Sequence, residues 1–417
     1  MATAVTPPRG MRDFLPAEKA RRERVLQRIR SVYRAHGFDE IETPVVEDSA
    51  RLHAGLGGDN EKLAFAVMKR GLTTDALAEA ATPLDLADLG LRFDLTVPLA
   101  RFYASNRGHL PSVFRAIQIA PVWRAERPQK GRFRQFVQCD IDIIGEPGII
   151  AEAELITATA AALDALGVPG CSIRVNDRRL LMAWLAAFDV PETLRPAALI
   201  SMDKLDKIGL DGVVDELLAI GVARAAEMVE GVDSAAAGDQ SWRMLDLPVF
   251  ADQPATADLR SLRAAVGAMP LVFDPFLVRG MGYYTGPIFE VAHPELGYSL
   301  GGGGRYDGMI GRFLGTEVPA CGFSLGFERL IDLVELGDEL DDGAALLYER
   351  DADLATVMAV KNAVVADGAR VRLLARPKNM KSALEQLEAE GFTRFAVIDR
   401  DSTADAATLD WRRLKDR

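Results

Sequence analysis

Side chains able to do chemistry are densest between Arg115 and Arg134, where Arg115, Arg124, Arg127, Lys130, Arg132 and Arg134 stand against a single carboxylate, Glu126. Guanidinium groups are planar donors that match phosphate oxygens two at a time. Pro128 stiffens the middle of this run and Gly131 relaxes it, which reads as a turn. A local excess of positive charge inside a chain of net charge −12 implies an anionic, phosphate-bearing ligand. The plainer reading, a solvated antiparallel hairpin whose polar side meets water, stays open on these residues alone.

Two strands must hold that turn. Phe114 to Arg124 is strand-like, and after the turn Val137, Cys139, Ile141 and Ile143 alternate with Gln138, Asp140 and Asp142, so one face packs and the other is polar. The segment Leu91 to Ala100 alternates as well, and as a strand it places Arg92, Asp94 and Thr96 opposite Phe93, Leu95 and Val97. On that face Asp94 and Thr96 suit a ligand amine, or simply an exposed sheet surface. Upstream, Pro16 followed by AEKARRERVLQRIRSVYRAHG predicts a helix with Val25, Ile29, Val32 and Tyr33 on one stripe and Gly37 as its stop. Phe38 to Val46 then reads as a strand, and Pro44 near its end suits an edge or an interface.

The 417 residues, 49% hydrophobic and 26% charged, allow a large globular core plus a smaller domain. No apolar run approaches the length of a membrane span, and Met1 to Arg12 lacks the apolar core of a signal peptide; the expected compartment is the cytoplasm. Cys139, Cys171 and Cys321 are too few and too widely spaced for a disulfide framework, and the four histidines form no i, i+4 pair, so a structural metal is not expected. The net charge argues against a nucleic-acid partner, yet distribution matters more than the sum. From Gly343 to Arg417, 13 Lys and Arg face 12 Asp and Glu, a balance of +1 that leaves −13 for the rest.

Arg124-Ala125-Glu126 and the loop that follows resemble motif 2 of the class II aminoacyl-tRNA synthetases, and of the histidyl-tRNA synthetase family in particular. Further resemblances follow in order along the chain, from Pro8-Arg9-Gly10 onward. The helix and proline-bearing strand are similar to motif 1, the dimer-forming element. Asp274 to Val291 (DPFLVRGMGYYTGPIFEV), with Arg279 and Gly280, resembles the first histidine motif, with Gly282 where the family more often has aspartate. Leu300 to Phe313 (LGGGGRYDGMIGRF) resembles the second; it contains no GxGxxG register, so a dinucleotide fingerprint fails. Gly322 to Leu330 (GFSLGFERL) resembles motif 3, a glycine-bearing strand running into a helix that carries Arg329.

The resemblance implies an α+β fold: a class II synthetase antiparallel sheet core flanked by helices, with a helical insertion and a C-terminal α/β domain. The catalytic core is expected at residues 1–173 and 270–335. The insertion falls at 174–269, where helical text such as VNDRRLLMAWLAAF prevails. After an acidic break, strand-helix-strand-helix-strand text predicts a small, mostly parallel α/β domain over 343–417. That place belongs in the family to the anticodon-binding domain. Here the text after Asp399 runs through DSTADAATLDWRRLKDR without the family's glycine, acidic residue, closing strand and helix, a shortened form.

For function the resemblance implies ATP-dependent activation of histidine to histidyl-adenylate and transfer to tRNA(His), by a homodimer. Carboxylate and α-phosphate repel each other unless cations hold them together, and preorganised donors do that without a side-chain nucleophile. By the resemblance, Arg124 and Arg279 are the catalytic pair on the α-phosphate, Arg132 and Arg329 hold the γ-phosphate, Glu126 meets the adenine amino group and Phe136 stacks on the base. Asp142 and Tyr284 meet the imidazole nitrogens, while Gln138, Asp94 and Thr96 surround the α-amino group. Arg279 also approaches the substrate carboxylate, and Tyr283 and Tyr306 border the pocket. Mg2+ bridges the phosphates of ATP without a dedicated carboxylate cage. Two other readings share this core: a noncatalytic histidine-sensing paralogue such as the regulatory subunit of ATP phosphoribosyltransferase, and an amino-acid-activating enzyme with a non-tRNA acceptor. The complete arginine set favours the enzyme.

Overall fold

A computed structural model of the chain describes residues 5–53, 63–129, 131–230, 239–267, 270–279, 282–334 and 343–414. Lys130, Gly280 and positions 335–342 of the acidic break lie outside the described residues. The chain divides into two compact units, Met1–Arg12 with Val25–Glu335, and Asp13–Arg24 with Leu336–Arg417.

The strands of the first unit are β1 (Asp39–Glu40), β2 (Val46–Asp48), β3 (Phe65–Met68), β4 (Ala87–Leu91), β5 (Phe114–Trp123), β6 (Gln135–Ile144), β7 (Ser172–Asp177), β8 (Leu271–Phe273), β9 (Pro287–Ala292), β10 (Gly301–Arg305) and β11 (Ala320–Gly326). Eight of them form one sheet in the order β1-β5-β6-β11-β10-β9-β7-β8, and β2-β4-β3 form a small one. From β5 across to β7 every pairing is antiparallel; the β1–β5 and β7–β8 pairs at the edges are parallel. This matches the helix-flanked antiparallel core that the resemblance implies. Strands β5 and β6 pair without interruption from Phe114↔Ile144 to Trp123↔Gln135, as their β-branched and aromatic alternation predicts. The side of β6 that alternation marks as polar is not solvated, however: Gln138, Asp140 and Asp142 are all buried.

Three local readings need correction. The segment Leu91 to Ala100 is not a strand, because β4 ends at Leu91 and a helix runs from Thr96 to Asn106. Pro98 sits in its first turn, where a missing N–H costs nothing, and Asp94, one position before the N-cap Leu95, accepts the Val97 N–H at 3.3 Å through Oδ1 and so satisfies one of the free N–H groups of that turn. Phe38 to Val46 is broken into β1 and the start of β2, with Pro44 between them. Finally, Arg174 to Asp177 is sheet, since β7 runs to Asp177 before the helices begin.

Those helices are Arg178–Ala187, Arg195–Met202, Leu205–Ala219, Ala225–Val229, Asp239–Arg243, Pro248–Ala251 and Pro254–Ala265. Their buried Trp184 packs edge-on against Phe250 and Phe276, with ring centroids 6.0 and 5.2 Å apart. Aromatic packing of this kind anchors the backbone just ahead of Arg279. Behind the sheet, helix Ile150–Ala165 packs on β6 and β11 and buries Glu152 against Arg305.

The second unit carries β12 (Gly343–Tyr348), β13 (Arg370–Ala375), β14 (Arg394–Ile398) and β15 (Arg412–Arg413) in the order β13-β12-β14-β15. The first three are parallel and β15 is antiparallel. Alternate residues of β12 feed two cores: Ala344 and Leu346 pack with Val357, Val360 and Val364 of helix Leu354–Ala366, and Ala345 and Leu347 with Leu384 and Leu387 of helix Met380–Ala389. A sheet covered on both faces is what parallel pairing requires. The text after Asp399 supplies a short 3-10 turn and β15 as the closing strand. No helix among the described residues is long and apolar enough to cross a membrane.

Candidate active site

Every site residue that the resemblance implies borders one cavity of about 550 Å³ in the first unit, whereas Arg115, Arg127 and Arg134 of the cationic run do not line it. The β5–β6 turn brings Arg124, Glu126 and Arg132, and β6 itself brings Phe136, Gln138 and Asp142. The start of helix Thr96–Asn106 adds Asp94 and Thr96; the segment before β9 adds Arg279, Tyr283 and Tyr284; Tyr306 and Arg329 follow β10 and β11. Strand register explains the convergence. One cross-strand row runs Gln118, Asp140, Ser324, Gly302, Glu290, Arg174, and the next runs Ala116, Asp142, Gly322, Gly304, Ile288, Asn176. The glycines lower the floor where other side chains cross it: a Cβ on Gly322 would stand 1.9 Å from Asp142 Oδ1, and one on Gly302 would stand 2.6 Å from Arg279 Cζ.

One group of lining residues is cationic. Arg124 donates from Nε to Phe93 O at 2.9 Å, and its guanidinium lies 5.0 Å from the Phe136 ring centroid. Arg132 pairs with Glu126 at 3.2 Å, and its backbone closes the turn with Gln129. Arg329 donates to Ser299 O at 2.7 Å and sits 5.1 Å from the Tyr298 ring centroid. Burial first, and then repulsion from Arg132, Arg124 and Arg279, push the Arg329 guanidinium below its ordinary value. Arginines that repel one another in one cavity are poised for an anion.

The other group is acidic. Burial raises Asp94 to about 6, against the pull of the Val97 N–H and of Arg124; its Oδ2 is buried with no partner. Asp142 is raised to about 7, again by burial first, although it accepts the Tyr306 hydroxyl at 2.6 Å. Asp140 is driven well above the usual carboxylate range by burial and by Asp142. Gln138 donates to Ser324 Oγ at 2.9 Å, which leaves its Oε1 buried and unpartnered. Buried acceptors without donors are costly, and a ligand bearing N–H groups satisfies them. The Tyr283 and Tyr284 rings lie tilted at 54° with centroids 4.8 Å apart, and Tyr306 lies 6.0 Å from Tyr283; burial raises all three phenols, so they stay donors. Gly282, at the position the family more often fills with aspartate, is an exposed turn residue.

Several lining residues had no role in the sequence reading: Asp140, Ser324, Glu290, Arg174 and Glu328. Asp140 was visible as the middle member of the Gln138, Asp140, Asp142 alternation. The rest depend on which strands are neighbours, and no local pattern carries that. Glu328 accepts the Val137 N–H at 3.3 Å and pairs with Arg12, whose guanidinium stacks 3.6 Å from the Phe133 ring centroid. Among the described residues no group of three or more His, Cys, Asp or Glu is arranged to hold a metal ion.

The family profile described as histidyl-tRNA synthetase matches residues 10–330. A curated histidine–tRNA ligase of Leifsonia xyli subsp. xyli is 59% identical over 426 residues, covering 98% of this chain and 99% of that protein. The crystal structure of histidyl-tRNA synthetase from Nostoc sp. PCC 7120 superposes with a TM-score of 0.79 at 24% identity, covering 99% of this chain and 95% of that one. An ATP phosphoribosyltransferase regulatory subunit/histidyl-tRNA synthetase from Bacillus halodurans C superposes at 0.76 with 20% identity, covering 96% and 99%. At such identities these two structures speak for the fold alone.

Proposed function

The chain belongs to the histidyl-tRNA synthetase family, and from that premise we propose that it is an aminoacyl-tRNA ligase that activates histidine with ATP and passes it to tRNA(His). The observation that carries this reading is the meeting of Arg124, Arg132, Arg279 and Arg329, from three separate segments, beside Asp94, Asp142 and Gln138 in one cavity. A cationic group needs an anion and an acidic group needs N–H donors; a triphosphate and an α-amino acid with an imidazole side chain supply both.

In the first step a carboxylate oxygen of histidine attacks the α-phosphorus of ATP and pyrophosphate leaves. Arg124 and Arg279 neutralise the α-phosphate where charge develops, Arg132 and Arg329 take the γ-phosphate, and Glu126 and Phe136 receive the adenine. Such fixed donors act by positioning and electrostatics. Glu126 reaches the adenine by releasing Arg132, its partner in the free protein. Asp142 and Tyr284 read the two imidazole nitrogens, with Tyr306 holding Asp142 and Tyr283 backing Tyr284. The α-ammonium group goes to Asp94 Oδ2, Gln138 Oε1 and Thr96. A pocket built on hydrogen bonds rejects apolar analogues because its own buried groups are then left unpaired. In the second step a terminal ribose hydroxyl of tRNA attacks the adenylate carbonyl and AMP leaves.

Mg2+ enters with ATP as part of the substrate. Among the described residues no group of three or more His, Cys, Asp or Glu is arranged to hold a resident ion, so no step is assigned through one. Residues 1–177, with β7 complete, and 270–335 form the catalytic core, 178–269 the helical insertion and 343–417 a shortened anticodon-binding-like domain. The protein acts as a cytoplasmic homodimer, with the helix from Pro16 and the strands around Pro44 at the interface. Aminoacylation with each amino acid and total tRNA tests the reading: charging by histidine alone is expected, and histidine-dependent ATP–pyrophosphate exchange without any charging points to a non-tRNA acceptor. The regulatory-paralogue reading has no observation of its own here, since the Bacillus halodurans protein shares the fold at low identity.

A further inference from the structure

We infer that Glu290 is a positioning residue for Arg279, fixing its guanidinium across Gly302 so that the unpartnered Nε is held for the substrate. The inference deepens the proposed activation of histidine and rests on it. Arg279 has a backbone φ of +53°, a region where non-glycine residues are uncommon and mark a constraint. Its side chain passes so close over β10 that only glycine fits at 302. Nη1 donates to Glu290 Oε2 at 2.7 Å, while Nε is buried without a partner. A buried donor in that state calls for an acceptor, and the cavity wall holding it is where the reacting oxygens are expected.

Glu290 is itself braced. It faces Arg174 across β9 and β7 and Gly302 across β9 and β10. Arg174 Nη1 lies 3.4 Å from Glu290 Oε1, and Arg174 Nε donates to Asp274 Oδ2 at 2.6 Å. The alternating series Asp274, Arg174, Glu290, Arg279 thus ties a catalytic guanidinium to the sheet. Its charge matters as well as its grip, because Arg279 shares the cavity with Arg124 and Arg329, and a carboxylate partner offsets their repulsion.

The test is a double-mutant cycle in histidine-dependent ATP–pyrophosphate exchange on the full chain, with wild type, Glu290→Gln, Arg279→Ala and the double variant, normalised to active sites by the adenylate burst. Glu290→Gln is expected to lower kcat by about tenfold or more, with KM for ATP changed far less. In the Arg279→Ala background it is expected to add no further loss. An unchanged kcat, or losses that multiply in the double variant, overturns the role of Glu290, because a merely structural residue acts independently of Arg279. Should Glu290→Gln not fold, Gly302→Ala displaces the same guanidinium with Glu290 intact; retained kcat there overturns the inference. A wild type that exchanges pyrophosphate with no amino acid overturns the activation reading itself, and this outcome is separate because it needs no variant.

Discussion

The Tyr306 hydroxyl donates to Asp142 Oδ1 across 2.6 Å, with both side chains buried. Burial sets Asp142 near neutrality, at about 7, and the Tyr306 hydrogen bond pulls against it while Asp94 adds to it. A carboxylate balanced there is ionised or not according to one neighbouring donor. That balance belongs to the free protein, and a bound imidazole N–H acts in the same direction as Tyr306.

Tyr306→Phe removes the donor and lets Asp142 rise further. If Asp142 holds the imidazole as a carboxylate, histidine binding then requires higher pH. The KM for histidine at pH 7 is expected to rise about tenfold, the value of one hydrogen bond to a charged group, and the pH at which KM improves is expected to move upward. Exchange assays from pH 6 to pH 9 measure both. A profile that falls off but keeps its midpoint would assign that midpoint to some other group.

Asp142→Asn separates stability from function. The Asp142 carboxyl has an ordinary value of 3.8 and a folded-state value of about 7, so between those limits the folded state holds a proton that the unfolded chain has lost. Its contribution therefore favours folding at low pH and is lost as pH rises from about 4 to about 7. Asparagine carries no such penalty. Without ligands the variant is expected to gain melting temperature over wild type at pH 8 and to gain less at pH 5, while histidine activation collapses. Calorimetry at the two pH values, beside the exchange assay, checks the pair of outcomes.

Gly322→Ala probes the floor of the same pocket. Its Cβ would meet Asp142 Oδ1 at 1.9 Å and Tyr306 Cε1 at 3.3 Å, so the carboxylate must leave its place. Loss of the hydrogen bonds it would make to the imidazole costs about 1–3 kcal/mol, roughly a tenfold to hundredfold rise in KM for histidine. The KM for ATP is expected to stay within about twofold of wild type, a difference of under 0.5 kcal/mol. Equal damage to both substrates would mean that the sheet, not the pocket, had yielded.

The hairpin, the arginines and the glycine strand were legible because each is local: ten-residue alternation specifies β5 and β6, and motif spacing carries Arg124, Arg279 and Arg329. What failed, failed for lack of context. Asp94 and Thr96 reach the cavity, but from a helix start instead of a strand, since four or five alternating residues fit either and the Asp94–Val97 hydrogen bond with Pro98 decided the matter. Asp140 looked like half of a solvated face because alternation cannot tell water from a buried cavity. Glu290 gained its neighbours from the β7-β9-β10 order, which no single strand encodes.

Arg329→Ala tests the far end of the cationic group. If Arg329 grips the γ-phosphate, its loss is felt mainly by ATP. Exchange is expected to fall by roughly 10²-fold, the lower end for removal of one preorganised donor, with KM for ATP raised and KM for histidine little changed. The reverse pattern would move Arg329 to the amino-acid side.

Glu152→Ala addresses the scaffold beneath the site. Glu152 is fully buried and takes Arg305 in two bonds of 2.6 and 2.8 Å, while the same guanidinium donates to Glu146 O and Gly148 O at 3.1 Å each. It thereby ties the start of helix Ile150–Ala165 to the end of β10, one residue before Tyr306. Removing Glu152 leaves the buried Arg305 charge with only Asp307, 3.3 Å away, at a cost of about 3 kcal/mol, the lower end for breaking a buried pair. A loss of that size is expected in urea unfolding of Glu152→Ala. Arg305→Met in the same chain removes the stranded charge, so the double variant is expected to recover part of the loss; a double variant less stable than Glu152→Ala would mean that the backbone bonds of Arg305, and not its charge, hold the helix in place.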